Sequence, residues 1–160
     1  MMTVDFLGLT DTDEVRASLG VDDTDIPDTL ITNRRPEEDL DIDLLTWLPT
    51  YATIISEGNG ASPTDAQTLK YKLLKLYAKY FISALIASTA ITAILQKESD
   101  GSNEGARFND AKALRELKTS AEGYAANAKS KLEQLVSPAE STTYSQFGTV
   151  SPSYDPVTNE

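Results

Sequence analysis

The chain has 160 residues, with 25 Asp and Glu against 14 Lys and Arg, a formal net charge of -11, and neither cysteine nor histidine. That length suits one domain able to bury a core without disulfides or a structural metal. Without thiolate or imidazole, disulfides, cysteine nucleophiles, serine triads and the commonest zinc and non-haem iron sites are excluded, whereas carboxylate chemistry and magnesium need only Asp and Glu and stay open, selected by no motif.

The charge is unevenly placed. Through residue 60 the sequence holds fourteen acids and only Arg16, Arg34 and Arg35, an excess equal to the whole net charge. From residue 61 to 136 the balance turns mildly basic, with Lys70, Lys72, Lys75 and Lys79 clustered. Opposite signs on two parts of one chain either keep two solvated helix faces soluble or attract copies head to flank. The acidic whole argues against tight phosphate binding. The first residues, MMTVDFLGLTDTDE, have neither the basic start nor the apolar run of a secretory signal, so synthesis in a reducing cytoplasm is expected.

In chain order, Asp11 with Glu14 forms a capping-box pattern, and the helix it opens should run through Val15 and Leu19 to a stop at Gly20. Residues 21–35 are turn-rich and acidic, with Asp28 expected to cap a short helical turn. Pro36 suits a first helical position, and Glu37, Glu38 and Asp39 follow it against the positive end of the helix dipole. Apolar spacing from Leu40 to Ile55 continues the helix, and Pro49 predicts a kink or break near Leu48.

After GNGASP, Ser62 or Thr64 can cap a long helix over residues 64–95. Two adjacent apolar stripes, one with Leu69, Leu73, Leu76 and Ile91 and one with Leu74, Tyr77, Phe81 and Leu85, predict burial on most of its circumference. Its uncharged run 80–96 is shorter than the ~20 apolar residues of a membrane span and is diluted by Ser and Thr, so a core helix is expected and no membrane contact. A polar loop over 97–107 precedes a last helix whose face from Phe108 to Leu135 is largely alanine, which predicts tight packing, with a weak point at Gly123. No segment reads as a confident strand.

The sites are few. Asp23-Thr24-Asp25 and Asp39, Asp41, Asp43 have the alternate spacing of calcium loops, but lack the glycine at the sixth position and the glutamate at the twelfth. No phosphate-binding glycine motif exists, and no cofactor or metal site is expected. The lysine cluster, interleaved with Tyr71, Tyr77 and Tyr80, is either a phosphate track or the outer side of a core helix. Trp47, the only tryptophan, is either a core or lid residue or an interface anchor. Residues 137–160, SPAESTTYSQFGTVSPSYDPVTNE, contain no Lys or Arg and too little apolar surface to fold alone. They read as either a loose end or an extended arm laid on a partner, with Tyr144, Phe147 and Tyr154 as anchors.

The segment LTDTDEVRASLGVDDTDIPDTLI, residues 9–31, resembles the opening of the small helical head–tail connector (adaptor) proteins of tailed bacteriophages. An acidic capped helix with a Val-Arg pair ends at a Leu-Gly stop, and an acidic loop leads to the next helix. The later order of long helix, polar loop, helix and extended arm is also similar in layout, although so long a Ser/Thr/Tyr-rich arm is missing from many members. The resemblance implies an all-α fold, a small bundle around a long central helix over residues 1–136 with an extended C-terminal arm over 137–160. It implies a structural virion protein of the neck, not an enzyme, forming a ring of twelve copies that contacts the portal protein and a tail or stopper protein and lets DNA pass without sequence-specific binding. Asp22, Asp23, Asp25, Glu37, Glu38, Asp39, Asp41 and Asp43 are then the channel-facing candidates, and Trp47, Tyr144, Phe147 and Tyr154 the interface candidates. The alternatives are a carboxylate enzyme using a divalent metal and a helical scaffold or adaptor outside a virion.

Overall fold

The computed structural model describes residues 4–23, 26–97 and 104–137, and of 91–97 and 104–111 the backbone alone. The described residues are mostly helical, with six helices and one small sheet. A hairpin opens the chain: β1 (Asp5–Phe6) pairs antiparallel with β2 (Thr10–Asp11), in the register Asp5 opposite Asp11 and Phe6 opposite Thr10. Leu7 and Gly8 both take positive φ, 56° and 69°, as a turn closing a right-twisted hairpin requires, and the Leu9 amide donates to the Phe6 carbonyl. The hairpin corrects the reading of the chain as strand-free. It tucks Phe6 and Leu9 into the core, and the Tyr71 hydroxyl donates to the Gly8 carbonyl.

The helix α1 (Thr12–Leu19) starts as expected, with the Glu14 amide donating to Asp11 at 2.8 Å. The box is only half closed, because the Glu14 carboxylate accepts from the Thr10 hydroxyl at 2.8 Å instead of reaching back to the Asp11 amide. Gly20 ends α1 in the left-handed region at φ 68°. The short helix α2 (Asp28–Asn33) is preceded by Pro27 and has no side-chain cap. Asp28, expected to cap it, is drawn away by Arg16. That guanidinium, almost wholly buried, donates to Asp28, to Asp13 at 2.9 Å and to the Ile26 carbonyl at 2.8 Å, so its charge is fully engaged and ties α1 to the loop and to α2.

The next pair, α3 (Pro36–Trp47) and α4 (Tyr51–Gly58), is one apolar pattern broken at Leu48 and Pro49, as expected of proline in a helix. Helix α5 (Asp65–Lys97) begins behind a reciprocal cap, in which the Thr64 amide donates to Gln67 at 2.8 Å and the Gln67 amide donates to the Thr64 hydroxyl at 3.3 Å. Helix α6 (Glu104–Val136) starts earlier than the polar composition around it suggested. It runs antiparallel to α5, since Trp47 meets both Tyr77 and Lys129 while Tyr80 stacks on Tyr124 three residues further along α5 and five residues back along α6. Besides α6, helix α5 packs against α1, α2, α3, α4 and β2.

The core differs in detail from the stripes expected on α5. Leu74, Ala78, Ile82, Ser83, Ile86 and Ala87 are buried, whereas Leu73 and Leu85 are only half-buried, Leu69 and Leu76 are exposed, and the Ile91 side chain lies outside the described residues. The physical reason is that α1, α3 and α4 cover the side of α5 holding Leu74 and Ile82, leaving the Leu69–Leu76 side to solvent. On α6, Ala121, Ala125, Ala128 and Leu132 are buried as the alanine-rich face predicted, while Leu135 is exposed. Among the described residues no helix is long and apolar enough to cross a membrane.

Two glycines behave oppositely. A Cβ on Gly58 would lie 2.4 Å from the Tyr71 Cβ, so the end of α4 touches α5 through a glycine; at Gly123, on the exposed side of α6, a Cβ would meet nothing within 4 Å. Gly58→Ala should cost about 1–3 kcal/mol through overpacking, and Gly123→Ala should stabilise by about 1 kcal/mol. Ile82→Ala should cost about 2–5 kcal/mol, and Leu69→Ala much less; urea midpoints of the four variants check the set.

Candidate functional site

The acids of residues 36–47 do not form one surface. On α3 the buried side is Leu40 and Leu44, and Asp43 lies next to it, between the core and Trp47. Trp47 stands one helical turn after Asp43, so its indole N–H donates to Asp43 Oδ2 at 2.8 Å. The Tyr77 hydroxyl of α5 donates to the same oxygen, and the Trp47 and Tyr77 rings meet edge to face with centroids 5.1 Å apart. Phe81 continues the aromatic contact at 5.7 Å, and the Lys129 ammonium of α6 sits 4.5 Å from the Trp47 ring centroid. One carboxylate and one indole thus join α3, α5 and α6.

Burial first, and then the hydrogen bond to Asp43, raise the Tyr77 phenol well above its ordinary value, so it stays a donor through the physiological range. A second pair repeats the motif, with the Tyr51 hydroxyl of α4 donating to Asp41; that bond is the main reason the Tyr51 phenol is also raised.

The other candidates are placed as follows. Asp39 lies 3.1 Å from the Arg34 guanidinium, and the contact is an ion pair without hydrogen-bond alignment, leaving a water-shielded oxygen held by charge alone. Glu38 pairs with Arg35 at 3.2 Å on the surface. Asp22, Asp23 and Glu37 are exposed. Asp25, Tyr144, Phe147 and Tyr154 lie outside the described residues. Asp41 and Asp43, both half-buried, each accept from a phenol within their own chain. Trp47 is half-buried, with its indole N–H on Asp43 and its ring against Tyr77 and Lys129. Among the described residues no group of three or more Asp or Glu converges to hold a metal.

What composition could not give is the partner of each acid. Asp43 and Trp47, four apart on a helix, were legible as neighbours; Tyr77 and Lys129, from distant helices, were not. The structure also brings out a feature absent from the sequence reading. Ile42 and Leu45 are 65% and 52% exposed on the outer side of α3, and Leu69 and Leu76 are 47% and 38% exposed on α5. Lys70, Lys72, Lys75 and Lys79 beside the latter form no ion pair among the described residues. Lys75 and Lys79 lie over their own helix's Tyr71 and Tyr80 rings instead, at 5.9 and 4.9 Å from the centroids. No family model, curated protein or solved structure matches the chain.

The Asp43 cluster has a pH signature. Since the folded Tyr77 pKa is raised above its ordinary value of 10.0, its stabilisation is whole below about pH 10 and is lost as pH rises through the folded value. Tyr77→Phe should cost about 1–3 kcal/mol at neutral pH by removing a bond to a charged acceptor. It should also flatten the fall of stability above about pH 10. Urea melts at stepped alkaline pH compare the two slopes.

Proposed function

We propose that this protein is a structural head–tail connector of a tailed bacteriophage, a ring of copies between the portal vertex and the tail through which DNA passes. The observation that carries the reading is the division of the described surface into an acidic N-terminal part and a lysine stripe without carboxylate partners, each with exposed apolar residues beside it. A lone protein gains nothing from leaving both open; an assembly component uses them as contacts. The mostly helical fold and the acidic capped helix α1 with its Val15-Arg16 pair and Gly20 stop support the same reading by their similarity in layout to those connectors.

In this proposal the molecule is a small bundle around a long central helix, α5, and residues 137–160 are an extended arm that docks on another chain through Tyr144, Phe147 and Tyr154. The exposed Asp22, Asp23 and Glu37 face the channel, where carboxylates repel phosphate and keep DNA from adhering. The portal protein and a tail or stopper protein are the flanking partners, the virion neck is the location, and twelve is the expected copy number.

Native mass measurement of the purified full chain tests the reading. A discrete ring of about twelve copies is expected, and a monomer at tens of micromolar, with or without portal protein, overturns it. Truncation after Val136 should leave thermal stability of the subunit nearly unchanged and weaken assembly. A large fall in melting temperature would instead make the tail part of its own domain.

A further inference from the structure

We infer that the outer face of α3 docks on the lysine stripe of α5 in a second copy of this chain, Glu38, Ile42 and Leu45 of one meeting Leu69, Lys72 and Leu76 of the next. The inference rests on the self-assembly proposed above and names the surfaces that make it.

The three α3 residues recur at i, i+4 and i+7, so they share one face, opposite Leu40 and Leu44, which are buried. Ile42 is the most exposed large apolar side chain among the described residues and Leu45 the third. Helix α3 itself carries Glu37, Glu38, Asp39, Asp41 and Asp43 and no base. On α5, Leu69, Lys72 and Leu76 recur at i, i+3 and i+7, again one face, and Lys72 is exposed with no ion pair among the described residues. Each patch thus sets two exposed aliphatic side chains beside one charge, and the charges are opposite. Such a match supplies both the apolar area that binds and the polarity that selects the partner and its register.

The two faces cannot meet within one molecule. The inner side of α3 is turned to α5 through Trp47 and Tyr77, so its outer side points away from its own α5. Glu38 does pair with Arg35, but both side chains are mostly exposed, and an exposed pair of this kind is worth little and exchanges readily for one that a docking surface shields. Glu38 is thereby assigned to the contact between copies and not to the channel.

The test is analytical ultracentrifugation of the full chain at low and high salt, with Glu38→Lys, Lys72→Glu, Ile42→Ser and the double variant E38K/K72E. Each single substitution should weaken self-association on the order of ten-fold or more, the double variant should recover much of it, and salt should weaken the wild type while relieving the like-charge repulsion in Glu38→Lys and Lys72→Glu. Circular dichroism melts of the dissociated subunits should be nearly unchanged, since all these positions are exposed. A wild-type assembly that survives all three single substitutions overturns this inference and leaves the connector reading standing. A wild-type monomer overturns both. Loss of assembly with Lys72→Glu but not with Glu38→Lys or Ile42→Ser would show that the α5 stripe takes another segment, such as residues 137–160, and overturns α3 as its occupant.

Discussion

Close approach of α5 and α6 is the constraint from which the other packing follows. Ala84, Ala87 and Ala90 on α5 and Ala121, Ala125 and Ala128 on α6 are buried, while Ser83 turns instead to the Ser18 hydroxyl of α1, so the shared seam is lined by side chains too small to hold the backbones apart. Small seams gain dispersion contact per unit length but bury little apolar area per residue, so the pair needs more cover than it supplies to itself. The larger side chains that provide it, Leu74, Ile82 and Ile86, lie where α1, α3 and α4 arrive. The N-terminal elements therefore complete the core that the two long helices begin.

Those elements are short, and polar contacts set where they lie. Arg16 collects α1, the Ile26 carbonyl and α2; Asp43 and Trp47 fasten α3 to α5 and α6; Tyr51 and Asp41 fasten α4 to α3. In each case a charged group is shielded and given donors or acceptors that suit it, which is the condition under which a part-buried charge does not undermine the fold. Several of the fourteen acids before residue 61 are therefore structural acceptors, and the net charge of the chain overstates the acidity of its surface.

Much of the element order could be read from local signals, because each was a short-range device: Asp11 before α1, Gly20 after it, Pro36 opening α3, Pro49 ending it, Thr64 before α5. The hairpin at Phe6 and Thr10 was hidden because strands of two residues have no alternation to detect, and its turn places Leu7 at positive φ, where glycine or asparagine would have signalled it. The role of Asp28 was misread because a cap is a local competition that the distant Arg16 wins. Likewise periodicity marked α5 as apolar on most of its circumference, but which side faces solvent depended on where α1, α3 and α4 settle, and that is a tertiary fact. The acids of α3 were legible as charges and not as partners for the same reason.

The exposed patches on α3 and α5 also constrain the geometry of any assembly they make. They are different surfaces, so a contact between them is heterologous: a copy that offers α3 to its neighbour still has an open α5 stripe for the next. Such a contact never satisfies itself in a dimer. It either continues as a filament or closes when the rotation per copy divides a full turn. A chain with one acidic and one basic patch, and with like patches that repel one another, is thereby biased against the two-fold pairings that would terminate growth early. In any such assembly the uneven charge seen first in the sequence has a physical use that uniform acidity would not provide, because it sets the direction of the contact as well as the attraction between neighbours.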